Sequence, residues 1–187
     1  MNTIRRYVTN DDPAILGIIR RAFAGFPWHE ILSEEEVQGR WQKIKNRRGF
    51  ACLVAVINSG VVGFSCWDAP TLDELVEERG LKLAQLFKAT VETGYELVWE
   101  RELVVDPAFQ GQGLGKQLRQ AFFVAMNRSS HPVLVLTRMR EDNFPTLIIA
   151  RRLGFRQTGI KISSSQKPDL FHEYWFWITT QKEHDHG

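Results

Sequence analysis

Polar and apolar positions alternate along the chain with two different periods, and these periods predict a series of strands and helices. Seven short segments are rich in apolar or β-branched residues and are bounded by residues that favour turns, which is typical of β-strands. The predicted strands span residues 3–8, 50–57, 61–67, 97–105, 133–137, 155–160 and 172–179. Asn58, Ser59 and Gly60 separate the second strand from the third and predict a hairpin.

Apolar residues spaced three and four positions apart predict the helices between these strands. Ser33 and Glu36 have the spacing of a capping box, which predicts a helix start. The predicted helices are 12–24, a segment that opens at Ser33, two pieces of 70–93 broken at Gly80, a segment ending near 128, and 145–153.

Length, charge and cysteine content narrow the class of protein. A chain of 187 residues with 43% hydrophobic residues predicts one domain that spans residues 1–187. A net charge of +2 provides no general attraction to nucleic acid or to an anionic membrane, and no apolar run has the length of a membrane span. Cys52 and Cys66 lie in apolar stretches, which favours reduced core thiols and a cytoplasmic protein. We expect no metal site, because the two histidines of the terminal EHDHG lack partner ligands.

The segment FQGQGLGKQL, residues 109–118, contains three glycines on alternate positions directly before a predicted helix. Backbone N–H groups of Gly111, Gly113, Leu114 and Gly115 would surround an anion there without obstruction from side chains, as in a pyrophosphate site. A sharp strand-to-helix turn is the alternative explanation, but three glycines flanked by Gln110 and Lys116 favour the anion site. The spacing is not G-x-G-x-x-G, and Gln117 stands where a Walker loop needs Ser or Thr.

Two segments together resemble one enzyme family. The run ELVVDPAFQGQGLGKQL is similar to the acetyl-CoA-binding motif of the GNAT (Gcn5-related N-acetyltransferase) superfamily, and Gln110, Gly113 and Gly115 match its core. Downstream, NFPTLIIARRLGFRQTG at 143–159 resembles the second cofactor element of the family. The order and separation of the two segments strengthen the resemblance.

The resemblance implies an α/β (α+β) fold. Its sheet would be mixed and strongly twisted, with about six to seven strands and helices on both faces. The strands at 97–105 and 133–137 would run parallel and diverge into a V, and a helical insert would occupy about 70–95. That insert could shape the acceptor pocket, form a homodimer contact, or simply cover the sheet as an amphipathic helix pair.

The resemblance also implies an N-acetyltransferase that moves an acetyl group from acetyl-CoA to a primary amine by direct attack in a ternary complex. Acyl-CoA would enter the V, and Asn143 would contact its pantetheine arm, although an Asn at this position is also an ordinary helix cap. The full set of implied CoA-binding residues is Leu103, Val104, Val105, Gln110, Gly111, Gln112, Gly113, Leu114, Gly115, Lys116 and Asn143. The alternative is a sensor that binds acyl-CoA and performs no chemistry.

Candidate catalytic groups are less well defined. A base must take a proton from the ammonium substrate, and strand periodicity predicts that Glu100 and Glu102 share a face opposite Arg101. Glu102 is the stronger candidate, with an ion pair or a solvated strand start as the alternative for either. Ala150 occupies the position where the family commonly has a tyrosine acid, so Tyr174 in the last strand becomes a candidate for that role. The alternative is that Tyr174, an aromatic residue in EYWFWI, belongs to the core or to the strand surface.

Overall fold

A computed structural model describes residues 2–163 and 171–179, and these residues form one seven-stranded mixed sheet with helices on both faces. The strands are β1 Asn2–Arg6, β2 Ala51–Ile57, β3 Gly60–Asp68, β4 Glu96–Val105, β5 Val133–Arg140, β6 Arg156–Ser163 and β7 Phe171–Ile178. Their order across the sheet is β1-β2-β3-β4-β5-β7-β6, and the sheet does not close on itself. The predicted fold class is confirmed.

Six α-helices connect the strands. They are α1 Asp12–Ala24, α2 Glu34–Lys45, α3 Leu72–Arg79, α4 Leu81–Glu92, α5 Leu114–Met126 and α6 Phe144–Arg152. The capping box predicted from Ser33 and Glu36 forms at the start of α2, and Gly80 separates α3 from α4 with a φ of +84°. Across the described ranges, no helix is both long and apolar enough to cross a membrane.

The helices cover opposite faces of the sheet. Helices α1 and α2 pack over β2 and β3 around Trp41 and Phe64, and α3 and α4 extend the same face over β4, β5 and β7 around Trp99. Helices α5 and α6 cover the other face, where Phe122 and Trp175 are buried. The predicted insert therefore buries apolar surface against the sheet.

The two central strands separate partway along their length. β4 and β5 are parallel, and their register runs from Glu96 opposite Val133 to Glu100 opposite Thr137. Both strands continue beyond this point, since β4 reaches Val105 and β5 reaches Arg140. The V predicted between these strands is present, and its inner end lies at Glu100 and Thr137.

Candidate active site

A cleft of about 470 Å³ opens where β4 and β5 part. Its walls come from the end of β4, the loop before α5, the start of α6 and the segment after α1. Of the residues predicted to bind CoA, those that line the cleft are Leu103, Val104, Val105, Gln110, Gly111, Gly113, Leu114, Gly115, Lys116 and Asn143. Gln112 is exposed and does not line it.

One edge of β4 is left without a strand partner inside the cleft. β3 pairs with Leu103, Val104 and Val105 on one side, but β5 pairs only as far as Glu100 on the other. An extended ligand placed there would continue the sheet through main-chain hydrogen bonds. The amide of Gln110 donates to the Val105 carbonyl at 3.0 Å and fixes the loop to the end of this strand.

The loop before α5 has the backbone geometry of an anion site. Gly111 and Gly113 have φ values of +77° and +78°, and a Cβ built on either would meet no atom within 4 Å, so the space above the loop is open. The first intrahelical bond of α5 runs from Gln117 N to Gly113 O, and no side chain caps the helix. The N–H groups of its first turn therefore remain available to a negatively charged group.

Asn143 lies on the opposite wall, directly before α6. Its side chain makes no capping hydrogen bond with the helix, so the structure does not support the simple helix-cap explanation. The residue is half-buried and faces the cleft, where its amide is able to contact a ligand.

Comparison with known proteins agrees with this geometry. Residues 48–157 match the family model described as "Acetyltransferase (GNAT) domain". The chain belongs to the GNAT acetyltransferase family. The match includes β4, the glycine loop, α5 and α6, which together form most of the cleft.

Solved structures share the fold of this GNAT domain at low sequence identity. An acetyltransferase from Salmonella typhimurium, solved with its cofactor acetyl-CoA, superposes with a TM-score of 0.69 at 18% identity and covers 97% of this chain and 96% of its own. The ribosomal-protein-S18-alanine N-acetyltransferase from Escherichia coli gives 0.68 at 17% identity, covering 99% and 98%. An N-acetyltransferase from Staphylococcus aureus Mu50 gives 0.67 at 17%, covering 95% and 98%. No curated protein sequence matches the chain.

A β-bulge in β4 separates the two glutamates that were expected to share a face. Cys66 lies opposite Glu102 and Trp67 lies opposite Glu100, so Arg101 is an extra residue in the strand. The bulge reverses the alternation of side chains beyond it. Glu100 points to the α5 face and Glu102 points to the α2 face together with Arg101, so the predicted shared face is wrong.

Glu100 is enclosed in the core of the GNAT domain. Its carboxylate accepts a hydrogen bond of 2.6 Å from Arg119 of α5, and the side chains of Arg119 and Glu100 are only 2% and 1% exposed. It does not line the cleft. The catalytic role predicted for Glu100 therefore has no support, because the buried ion pair occupies the group.

Glu102 does line the cleft, close to its inner end. Arg40 of α2 donates to its carboxylate at 2.7 Å and also lies 3.8 Å from Glu30. The negative charge of Glu102 is the largest cause of a raised pKa at Arg40. Arg40 thus holds the carboxylate in one position, and sequence analysis missed this partner because it comes from a distant helix.

Tyr174 and Ala150 both lie in the core. Tyr174 is fully buried against Trp99 on the α3–α4 face, and its ring centroid lies 6.1 Å from that of Trp99. Ala150 is also fully buried and packs with Phe155 and Trp175 rather than lining the cleft. Within the described residues, the cleft walls contain no tyrosine, so Tyr174 is not placed to protonate a thiolate there.

The described part of the chain contains no group of three or more His, Cys, Asp or Glu side chains arranged to hold a metal ion. The terminal histidines considered above lie outside the described residues. Cys52 and Cys66 are free buried thiols, and burial raises the pKa of both.

Proposed function

We propose that this protein transfers an acetyl group from acetyl-CoA to a primary amine by direct attack in a ternary complex. The observation that carries the proposal is the cleft itself: an unpaired strand edge and an uncapped helix start line its walls, and Glu102 lies towards its inner end. The family of the chain supports acetyl transfer in general. That a related structure contains acetyl-CoA supports this molecule as the donor.

The donor fits the residues of the cleft. The pyrophosphate would bind the free N–H groups of Gly113 to Lys116, where the helix dipole adds a favourable potential for negative charge. The pantetheine arm would lie against the open edge of Leu103 to Val105, with Asn143 on the other side. The thioester would then reach the point where β4 and β5 part.

The reaction needs a neutral amine. Glu102 would accept a proton from the ammonium group through a water molecule, and the amine nitrogen would attack the thioester carbonyl carbon. Collapse of the tetrahedral intermediate forms the amide and breaks the C–S bond. The nitrogen loses its second proton to water and the departing thiolate takes a proton from water, so that no net hydroxide is left. No tyrosine is required for this balance.

Timed release of free CoA thiol with a panel of primary amines tests the proposal. We expect amine-dependent thiol release from wild-type protein, together with saturable binding of acetyl-CoA by calorimetry. Stoichiometric binding without turnover on any amine would contradict enzymatic transfer and support the alternative function, a sensor of acyl-CoA.

A further inference from the structure

Within the described residues, five arginines lie close to one another behind the inner end of the cleft, on the face covered by α1 to α4. Two of them lack carboxylate partners. Arg40 pairs with Glu102, Arg101 pairs with Asp68 and Glu78, and Arg140 pairs with Asp142. Within the described part of the chain, the guanidinium groups of Arg79 and Arg138 form no ion pair. The nearby carboxylates already have partners, so these two positive charges are uncompensated.

Arg79 and Arg138 both lie near Tyr174, whose hydroxyl is buried. Arg138 of β5 lies directly opposite Tyr174 of β7 in the register. Arg79, from the end of α3, lies 5.3 Å from the ring centroid of Trp99, which itself packs against Tyr174. Within residues 2–163 and 171–179, neither the Tyr174 hydroxyl nor the Arg79 Nε has a hydrogen-bond partner, although both are buried.

Buried polar groups without partners are rare in folded proteins and often mark a position that a ligand occupies. Here Arg79 Nε and the Tyr174 hydroxyl are the buried groups, whereas Arg138 is exposed and has no ion pair within the described residues. Guanidinium groups are able to donate to an oxygen anion. We name Arg79, Arg138 and Tyr174 the acceptor-side cluster.

The acceptor-side cluster lies beside the reaction site. Arg138 follows Thr137, the last residue of β5 that pairs with β4, so it lies just beyond the split and near Glu102. Trp28 lines the cleft and stacks on His172 at 6.0 Å between ring centroids, which connects the cleft wall to β7. A molecule with its amine near Glu102 would extend across the mouth of the V toward Arg138. Because the two residues lie on neighbouring strands that diverge, the molecule must span at least one strand spacing, which is about 5 Å.

We infer that the acceptor amine carries an anionic oxygen group, a carboxylate or a phosphate, that binds to the guanidinium groups of Arg79 and Arg138 beside Tyr174. This inference rests on the proposed amine acetylation and specifies its substrate class. It also gives the helical insert a functional part, because α3 supplies Arg79 as well as covering the sheet.

Matched pairs of amines test the inference. The pairs are β-alanine with β-alaninamide, glycine with glycinamide, and O-phosphoethanolamine with ethanolamine, and kcat/KM is measured for each with wild-type protein and with Arg138→Gln. We expect wild-type protein to prefer an acidic member, and Arg138→Gln to lower that preference by about 10- to 100-fold, as expected for a hydrogen bond to a charged group. The two members of a pair differ in amine basicity, but this difference cancels because the ratio of their kcat/KM values is compared between the two proteins. If Arg138→Gln loses the preference for β-alanine or glycine, the anion is a carboxylate. If it loses the preference for O-phosphoethanolamine, the anion is a phosphate.

Companion variants separate binding from general damage. Arg79→Gln should shift the preference in the same direction, Arg138→Lys should recover part of it, and Arg152→Gln, at an exposed arginine on α6, should leave it unchanged. Acetyl-CoA affinity should stay at the wild-type value in all four. A wild-type preference for the neutral member of every pair, or an equal loss for both members in Arg138→Gln, would overturn the inference and leave amine acetylation standing.

A binding measurement decides the inference if no amine is acetylated. In that case the proposed transfer fails, and β-alanine and O-phosphoethanolamine are titrated calorimetrically into CoA-saturated protein. Saturable binding to wild-type protein that Arg138→Gln weakens would support the acceptor-side cluster as an anion site. Absence of saturable binding to wild-type protein would overturn it.

Discussion

Glu102 is the carboxylate inside the cleft, and its replacement tests the proton-transfer step. We expect Glu102→Gln to lower kcat/KM by about 10² to 10⁴ at neutral pH, because a general base typically contributes that much. The loss should shrink at high pH, where free amine becomes abundant without a base. Acetyl-CoA affinity should not change.

The control for this variant is Glu92→Gln, at a side chain that is 62% exposed on α4. It should retain wild-type rates, since an exposed carboxylate far from the cleft has no part in the reaction. A Glu102→Gln protein with wild-type rates from neutral to high pH would contradict the assignment. Because Arg40 loses its partner in this variant, its melting temperature must be compared with wild type.

Glu100 should affect stability more than chemistry. Removal of one partner from a buried ion pair leaves an uncompensated charge in the core and typically costs about 3–5 kcal/mol. Glu100→Gln should therefore lower the free energy of unfolding strongly, as measured by urea denaturation. The double variant Glu100→Leu with Arg119→Leu should recover much of that loss, and a Glu100→Gln protein with wild-type stability but no activity would return a catalytic role to this residue.

At the scale of elements, the loop before α5 combines an unusual backbone with open space. Gly113→Ala should weaken acetyl-CoA binding at least about tenfold, because the new methyl group would project where the pyrophosphate binds. The substitution also forces alanine into a left-handed conformation, which costs about 1–2 kcal/mol. Calorimetric titration measures the binding, and denaturation measures the strain.

Gly94 provides the matched control for that strain. Its φ is +95° and a Cβ there would also meet nothing within 4 Å, but it lies outside the cleft. Gly94→Ala should lose a similar amount of stability and keep full affinity for acetyl-CoA. Equal affinity in the two variants would remove the anion site from the loop.

Helix α6 presents one side to the cleft and another to the core. Ala150→Tyr should destabilise the protein by about 1–3 kcal/mol or more, since position 150 is fully buried and a tyrosine would overpack it. Ile149→Tyr should be tolerated better, because Ile149 lines the cleft. Thermal melting compares the two, and an Ala150→Tyr protein as stable as wild type would contradict the burial of this position.

At the scale of the whole molecule, His172 links stability to pH. Burial first, and then Arg138, Arg140 and Arg79, lower its pKa to about 4 from an ordinary 6.5, with Asp142 acting in the opposite direction. The folded protein therefore holds His172 neutral while the unfolded chain binds a proton below 6.5. Stability should be complete above pH 6.5 and should fall by on the order of 3 kcal/mol as pH drops toward 4.

Urea denaturation across this range checks the pH dependence. His172→Gln should flatten the decline between pH 6.5 and 4, whereas His131→Gln, at an exposed histidine, should leave the slope unchanged. Asp11 contributes in a separate window, because Arg5 lowers its pKa and its stabilising effect is lost only in more acidic solution. A slope that persists in His172→Gln would contradict the assignment to this residue.

The sequence by itself determined the strands, the helices and the glycine-rich loop before α5 of this protein, because each depends on neighbours along the chain. Strand alternation, helical spacing, the Ser33 capping box and the glycines at 111 and 113 are local patterns with local physical causes. They supported the resemblance to the GNAT family, and that resemblance implied the V between β4 and β5 and most residues of the cleft.

Only the tertiary structure decided that Arg40 meets Glu102 at the cleft and that Arg79, Arg138 and Tyr174 lie near one another behind it. The bulge at Arg101 depends on the pairing of β4 with β3, and this single extra residue sends Glu100 into the core and Glu102 into the cleft. Arg40, Arg79, Arg138 and Tyr174 come from four different elements, so no spacing in the sequence relates them. A local pattern fixes the conformation of a segment, whereas contacts between distant segments follow from how the sheet pairs and how the helices pack on it.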